Sequence, residues 1–348
     1  METPTTFSFQ TFNDSADHNS PTFNNLMGIN NFGLIAGFYG SGAAGDPNQG
    51  FLLTRPGTFT PENFPGSAQT QLTGLNDLGV KVGYFYKTNE GTAIDNQFGF
   101  YLSGGVFHEV NNPKTPKPAD VQAGVSPQIE NQLMGVNDHN IAVGFYNDAA
   151  GHSHGYTYNI NSGTFSADIN DPNAVSTVSA AINNLGGIAG FYTDAQGAIH
   201  GFLNHNNHFT TVDAPGASET ELLGINDFGV AVGFDMVNGA MHGITFDSHT
   251  GKFTTLDAPN GIGTTTLNGI NDLGQIVGFY VDAHGNTDGL LATPAADSVA
   301  KGAAPVAMLS QHMASTFVTT SDSHGGPMVA NPALTSNQNM FLAQPHHG

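Results

Sequence analysis

Three histidines recur at one place in successive stretches of this chain. His154, His200 and His242 each stand before a glycine at the start of a β-prone run, and three imidazoles are enough to hold a catalytic zinc. A second set is polar: Asn25, Gln71, Gln132, Glu221 and Thr266, with Val178 as the sixth member, lie just ahead of a Leu or its counterpart. Neutral amides, a hydroxyl and one carboxylate suit hydrogen bonding to a sugar or a peptide. Glu221 is the one carboxylate of that set, so the acid and base pair of glycoside hydrolysis is missing there. A catalytic Glu221 needs a partner, and His108 is the candidate. Lys114 and Lys117, two of the seven basic residues, sit in a Pro-rich stretch and offer a cationic contact. The chain has no Gly-x-Ser-x-Gly elbow, no His-Glu-x-x-His pair and no phosphate loop.

What these residues can do depends on the elements that carry them. One phrase, an Asn-centred turn followed by an aliphatic-Gly-aromatic run, occurs at Asn30, Asn76, Asn137, Asn183, Asn226 and Asn271, spaced by 46, 61, 46, 43 and 45 residues. A period near 45 residues marks a repeat architecture. In the last copy, Asn271-Asp272-Leu273-Gly274 reads as a type I turn closing in a bulge with Gly in the left-handed conformation. Asn140 takes the Gly place in the third copy, and Asn is the residue that best tolerates that backbone after Gly. Gln275 to Val281 is apolar on both faces, as in a sheet packed on both sides. An Asp-x-x-Gly loop, a third strand and a fourth strand ending in Asp-Ala-Pro complete about 45 residues, the length of a propeller blade.

The sixth copy stops at Pro294 without its fourth strand, and Thr6 to Asp14 resembles the missing piece. The expected fold is therefore all-β, a six-bladed β-propeller of four-stranded blades spanning 1–294. Its N-terminal strand closes the ring and leaves no bare sheet edge. A linear β-solenoid is the rival, and it leaves the displaced strand unexplained. In a propeller with strands about 4.8 Å apart, third strands lie roughly 16 Å from the axis, too far apart for the three His to share a metal with bonds of about 2 Å. They are expected to make hydrogen bonds at strand ends. Only first strands meet at the axis, so Asn25, Gln71, Gln132, Glu221 and Thr266 are expected to rim one mouth of the channel. The Asn-Asp turns then mark the opposite, less functional face. Val110 to Asn131, with Pro113, Pro116, Pro118 and Pro127, is an insertion that could lean over the channel.

Composition narrows the partners. Twenty-eight acidic against seven basic residues give a formal charge of −21, which repels nucleic acid and anionic membranes. No cysteine is present, so disulfides and thiolate chemistry are excluded. No cofactor is expected, and surface calcium on the Asp-rich turns lacks a strong motif. The N-terminus has no basic and apolar leader, and no apolar run approaches a membrane span.

The phrases Gly-Ile-Asn-Asp-x-Gly, Val-Gly-Phe-Tyr, His-Gly-Phe-Leu and Phe-Thr-Thr-x-Asp-Ala-Pro, over Leu26 to Pro294, resemble those of bacterial extracellular HAF-repeat proteins. The resemblance implies a secreted repeat protein and carries over no catalytic residue. Gln49 and Phe98 replace the His in the first two copies. Beyond Pro294 the chain is rich in Ala, Ser, Thr, Gly and Pro; a marginal helix around Val306, Met308 and Leu309 and disorder from Thr319 are expected. That stretch, 295–348, resembles the uncleaved C-terminal export signals of large bacterial proteins, and a plain disordered tail is the other reading. The expected function is an extracellular, monomeric binding module for a carbohydrate or protein ligand. A propeller-based hydrolase or lyase acting on an extracellular polysaccharide is the alternative, and a purely structural extracellular role is the third.

Overall fold

The structure, a computed structural model, describes residues 6–295 apart from 44, 55–56, 88–95 and 118–128, together with 318–321 and 327–330. It divides into two units, Phe7–Pro294 and a unit comprising Met1–Thr6 and Ala295–Gly348. In the second of these, Val318–Ser321 pairs antiparallel with Pro327–Ala330, where disorder was expected. The helix expected around Val306 and the export signal fall mostly outside the described residues.

All regular structure in Phe7–Pro294 is strand; among the described residues there is no helix. After β1 (Phe7–Phe12), the strands β2 (Asn24–Ile29), β3 (Ile35–Tyr39), β4 (Gln49–Thr54) and β5 (Thr58–Pro61) form one four-stranded antiparallel sheet. A second comprises β6 (Ser67–Leu75), β7 (Lys81–Lys87), β8 (Gln97–Ser103) and β9 (Val106–Val110). The third comprises β10 (Asn131–Val136), β11 (Ile141–Asn147), β12 (Ser153–Asn159) and β13 (Thr164–Phe165). Next come two four-stranded meanders, β14 (Ala174–Ile182), β15 (Ile188–Asp194), β16 (Ile199–His205) and β17 (His208–Val212), then β18 (Glu219–Ile225), β19 (Val230–Val237), β20 (Ala240–Asp247) and β21 (Lys252–Thr255). The last sheet contains β22 (Thr265–Ile270), β23 (Ile276–Val281) and β24 (Thr287–Pro294), and β1 pairs with β24 as its outer strand, from Phe7↔Pro294 to Phe12↔Gly289. This is a β-propeller arrangement of four-stranded blades, closed by the N-terminal strand.

Four blades stand as separate four-stranded sheets, whereas the two meanders from β14 to β21 run together as one eight-stranded sheet. The cause is one parallel bridge, Ile199↔Glu219. Parallel bridges at Phe23↔Thr287, Gln97↔Glu130 and Met241↔Thr264, each with one partner just outside a strand, make the same kind of junction.

The Asn turn explains its own sequence. Asn30 Oδ1 accepts the N–H of Phe32 and of Leu34, while the Asn30 carbonyl accepts from Gly33. The same pattern recurs at Asn76, Asn137, Asn183, Asn226 and Asn271. Asn140 has φ 57° in the third turn, the left-handed place expected of it. Each first strand carries a β-bulge just ahead of its turn, as between Leu26 and Gly28 or Leu222 and Gly224.

Packing between blades is built from a first-strand aliphatic and the third strand of the preceding blade. Phe51, Phe100, Tyr156 and Phe202 follow the third-strand glycine and are fully buried, as are Leu26, Leu72, Leu133 and Leu222 on first strands. Each such side chain stabilises the fold by about 1.5–3 kcal/mol. The glycine is needed for the approach: a Cβ on Gly99 would stand 2.8 Å from the Val110 carbonyl and 3.4 Å from Leu133. The fourth blade has Ser179 in place of the Leu, and its buried Oγ has no hydrogen-bond partner.

Candidate functional site

Two concavities open at opposite ends of the first strands. One lies on the propeller axis among the Asn turns. Each turn Asn donates its side-chain Nδ2–H to the backbone carbonyl of the next turn Asn, in the order 30, 76, 137, 183, 226, 271 and back to 30, at 2.9–3.2 Å. A second ring follows one residue on. The backbone N–H of Asn31, Asp77, Asp138, Asn184, Asp227 and Asp272 each donates to the side-chain Oδ1 of the next member, at 2.7–2.9 Å. Asn31 spans Asp77 and Asp272 through its Nδ2, and Asn184 spans Asp138 and Asp227. These twelve residues and the aliphatics before them enclose about 100 Å³. The result is an axial mouth with four carboxylates. Burial and the neighbouring Asp138 and Asp272 push the Asp77 carboxyl up, against the pull of its hydrogen bonds from Asn31.

The other concavity, about 250 Å³, lies between the first two blades and is lined by Phe23, Phe38, Ser41, Gly42, Asn48, Gln69, Gln71 and Tyr86. Among the described residues its lining combines aromatic rings with neutral amides and contains no charged side chain. The Gln71 amide is fixed by its neighbours: its Nε2 donates to Asn48 Oδ1 at 2.7 Å, and Tyr84 donates its hydroxyl to Gln71 Oε1. Asn48 donates its Nδ2–H to the Gly40 carbonyl at 2.6 Å, and Gln69 Oε1 accepts from the Asn48 backbone at 3.1 Å. Gly40 and Gly42 have φ of 91° and 79°, so the loop over the cleft adopts a left-handed backbone that a side chain would oppose.

The six positions expected to rim the channel do share one register. Asn25, Gln71, Gln132, Val178, Glu221 and Thr266 pair with Phe38, Tyr84, Phe145, Phe191, Phe234 and Phe279. Three of them are engaged at separate blade junctions, Gln71 with Asn48, Gln132 with Gln97 and Thr266 with Met241. Gln132 donates to Gln97 and Glu130, and Thr266 donates to Met241 Sδ at 3.0 Å. Asn25 is buried with its Oδ1 unpartnered. Only Gln71 lines either cavity. The expectation of a single polar rim is corrected in that respect: strand residues alternate between blade faces, and Gln71, Gln132 and Thr266 face the neighbouring blade.

Glu221 has a partner that sequence reading missed. Burial pushes its carboxyl up to about 8, with the charge and hydrogen bond of Glu219 adding to the effect. Glu219 is two residues earlier on β18, hence on the same strand face, and that period-two spacing was the available signal. His108 belongs to β9, the outer strand of the second blade, and stacks on Tyr101 at 4.5 Å. Glu221 lies on the first strand of the fifth meander, so no acid and base pair forms between the two.

His154, His200 and His242 sit at strand ends, each held by its own acceptors. His200 contacts Asp213 at 3.0 Å and Asp194 at 3.4 Å; His242 contacts Asp257 at 2.8 Å. His154 lies between Asp148 and Asn170. Among the described residues no group of three or more His, Asp or Glu is arranged to hold a metal ion. Lys114 is paired with Asp168 at 2.8 Å, just past the outer strand of the third blade, and Lys117 is exposed. The described start of the insertion is thus tied to that blade, away from the axis where it was expected to lean; residues 118–128 of it lie outside the described residues.

No protein-family model matches the chain, and no curated protein matches it. Among solved structures, it is similar to AofleA from Arthrobotrys oligospora at 11% identity, covering 84% of each chain with a TM-score of 0.45. A complex of Aleuria aurantia lectin with Fucα1-6GlcNAc is matched at 10% identity over 79% of this chain and 93% of that one, with a TM-score of 0.46. A nidogen/laminin complex is matched at 13% identity over 76% and 91%, with a TM-score of 0.46. These likenesses are too distant to carry a function to this chain.

Proposed function

We propose that this protein is a non-enzymatic binding module that holds a neutral polar ligand, of carbohydrate type, in the cleft between its first two blades. The observation that carries the reading is the lining itself. Phe23, Phe38 and Tyr86 supply apolar faces while Asn48, Gln69 and Gln71 supply donors and acceptors without charge, which is the mixture a sugar ring requires. Counting the eight-stranded sheet as two blades gives a six-bladed ring, in keeping with six turn Asn residues. The resemblance to HAF-repeat proteins favours an extracellular setting. The formal charge of −21 disfavours nucleic acid and anionic membranes as partners.

A glycan-array survey with wild type and Tyr86→Ala tests the reading. Binding of one glycan class by wild type and its loss in the variant, with thermal stability retained, is the expected result. Equal binding by both proteins, or none by either, counts against it. Catalysis through Glu221 and His108 has no geometric support, since the two residues lie on different blades.

A further inference from the structure

The turn tips around the axial mouth are apolar and exposed. Phe32, Leu78, Leu185, Phe228 and Leu273 occupy the third place of their turns, with 76, 64, 67, 48 and 39% of their surface accessible. Among the described residues they are five of the eight exposed large hydrophobic side chains. Turn geometry asks only for Asn at the first place and a left-handed residue at the fourth; it does not ask for Phe or Leu at the tip. Scattered single hydrophobics are ordinary on a surface, whereas a contiguous set around one opening marks an interaction site. His139 holds the sixth tip and is also exposed.

We infer that this crown is a docking surface for a protein partner that inserts a lysine or arginine side chain into the acidic mouth while apolar neighbours of that residue cover the tips. Charge complementarity selects the partner. Asp77, Asp138, Asp227 and Asp272 face one small opening, and the only amides among them in the ring, Asn31 and Asn184, already donate to the Asp Oδ2 atoms. Four carboxylates around one small opening make it attractive to an inserted cation. A second copy meeting mouth to mouth would double the repulsion, so self-association through this face is disfavoured. The inference does not depend on the cleft between the first two blades.

The full chain titrated calorimetrically with an acetylated, amidated Leu-Lys-Leu tripeptide, against the same peptide with norleucine for lysine, tests this. Saturable binding of the lysine peptide at least about tenfold tighter than the norleucine peptide is expected, weakening as salt is added. Asp138→Asn/Asp227→Asn should remove that preference, and Phe32→Ser/Phe228→Ser should weaken both peptides. Asp138→Asn/Asp227→Asn takes away the two acceptors of Asn184 Nδ2, whereas Phe32→Ser/Phe228→Ser alters only exposed tips, so the unfolding midpoint of each variant is measured and only folded variants are compared. The inference is overturned by equal binding of the two peptides, by no saturable binding, or by folded variants that bind as wild type does. It is equally overturned if sedimentation shows a dimer that Phe32→Ser/Phe228→Ser dissociates.

Discussion

Asn271 donates its side-chain amide to the backbone carbonyl of Asn30 at 3.0 Å, across 241 residues of sequence. This contact joins the last turn to the first and closes a ring that the other five turns only extend. A linear solenoid has no equivalent of it, nor of the pairing between β1 and β24.

The ring amides should be costly to lose. In Asn183→Ala the N–H groups of Leu185 and Gly187 lose their acceptor and the Asn226 carbonyl loses its donor. A destabilisation of about 1–3 kcal/mol is expected for such unsatisfied groups, measurable by urea unfolding. Asn183→Asp keeps the acceptor and loses the donor, so it should fall between Asn183→Ala and wild type if the ring donor matters.

Blade contact depends on the third-strand glycine. Gly99→Ala places a Cβ 2.7 Å from Asn131 Nδ2 and 2.8 Å from the Val110 carbonyl. Overpacking of this kind costs about 1–3 kcal/mol. A fall in unfolding midpoint with an unchanged denaturant slope is the expected outcome.

Ser179 offers the opposite change. Its Oγ is buried without a partner where the other five copies carry Leu. Ser179→Ala removes a stranded hydroxyl and should raise stability by about 1 kcal/mol.

Stability should fall as pH rises toward 8. Glu221 has its folded pKa raised to about 8 by burial and by Glu219, so the folded state binds the proton more tightly than the unfolded chain does. That preference is fully present below the unfolded value of about 4.3 and is lost progressively until the folded value is passed. His200 is also raised, because Asp213 and Asp194 outweigh its burial, and so is His242, through its hydrogen bond to Asp257. Their contribution is present below about 6.5 and is lost as pH passes their raised values, which is the same sign. Denaturation between about pH 5 and 8 should therefore show a falling midpoint, to which the raised carboxyls of Glu130, Asp77 and Asp235 add, and Glu221→Gln should make the fall less steep, most cleanly near about pH 5.5, where unfolded histidines are still about nine-tenths protonated.

Much of this fold is legible in the sequence because the repeat states each turn six times. Asn, Gly and the aliphatic-Gly-aromatic run encode turn, bulge and strand locally, and Thr6 to Asp14 betrays the closing strand by likeness to its counterparts. The site is less legible. Gln71 was found from its place in the repeat, but Phe23, Asn48, Gln69 and Tyr86 reach the same cleft from two blades and share no sequence pattern. The carboxylates of Asp77, Asp138, Asp227 and Asp272 read as turn formers, which they are; that they also meet at the axis follows only from ring closure. Glu219 was missed because its pairing with Glu221 depends on burial at a blade junction.

Diffraction from crystals soaked in the glycan that binds best on the array tests the central claim most directly. The account predicts the sugar between the first two blades, against Tyr86 and within hydrogen-bond reach of Gln69 and Gln71. A sugar bound at the axial mouth or at another blade junction, with this cleft unchanged, would contradict it.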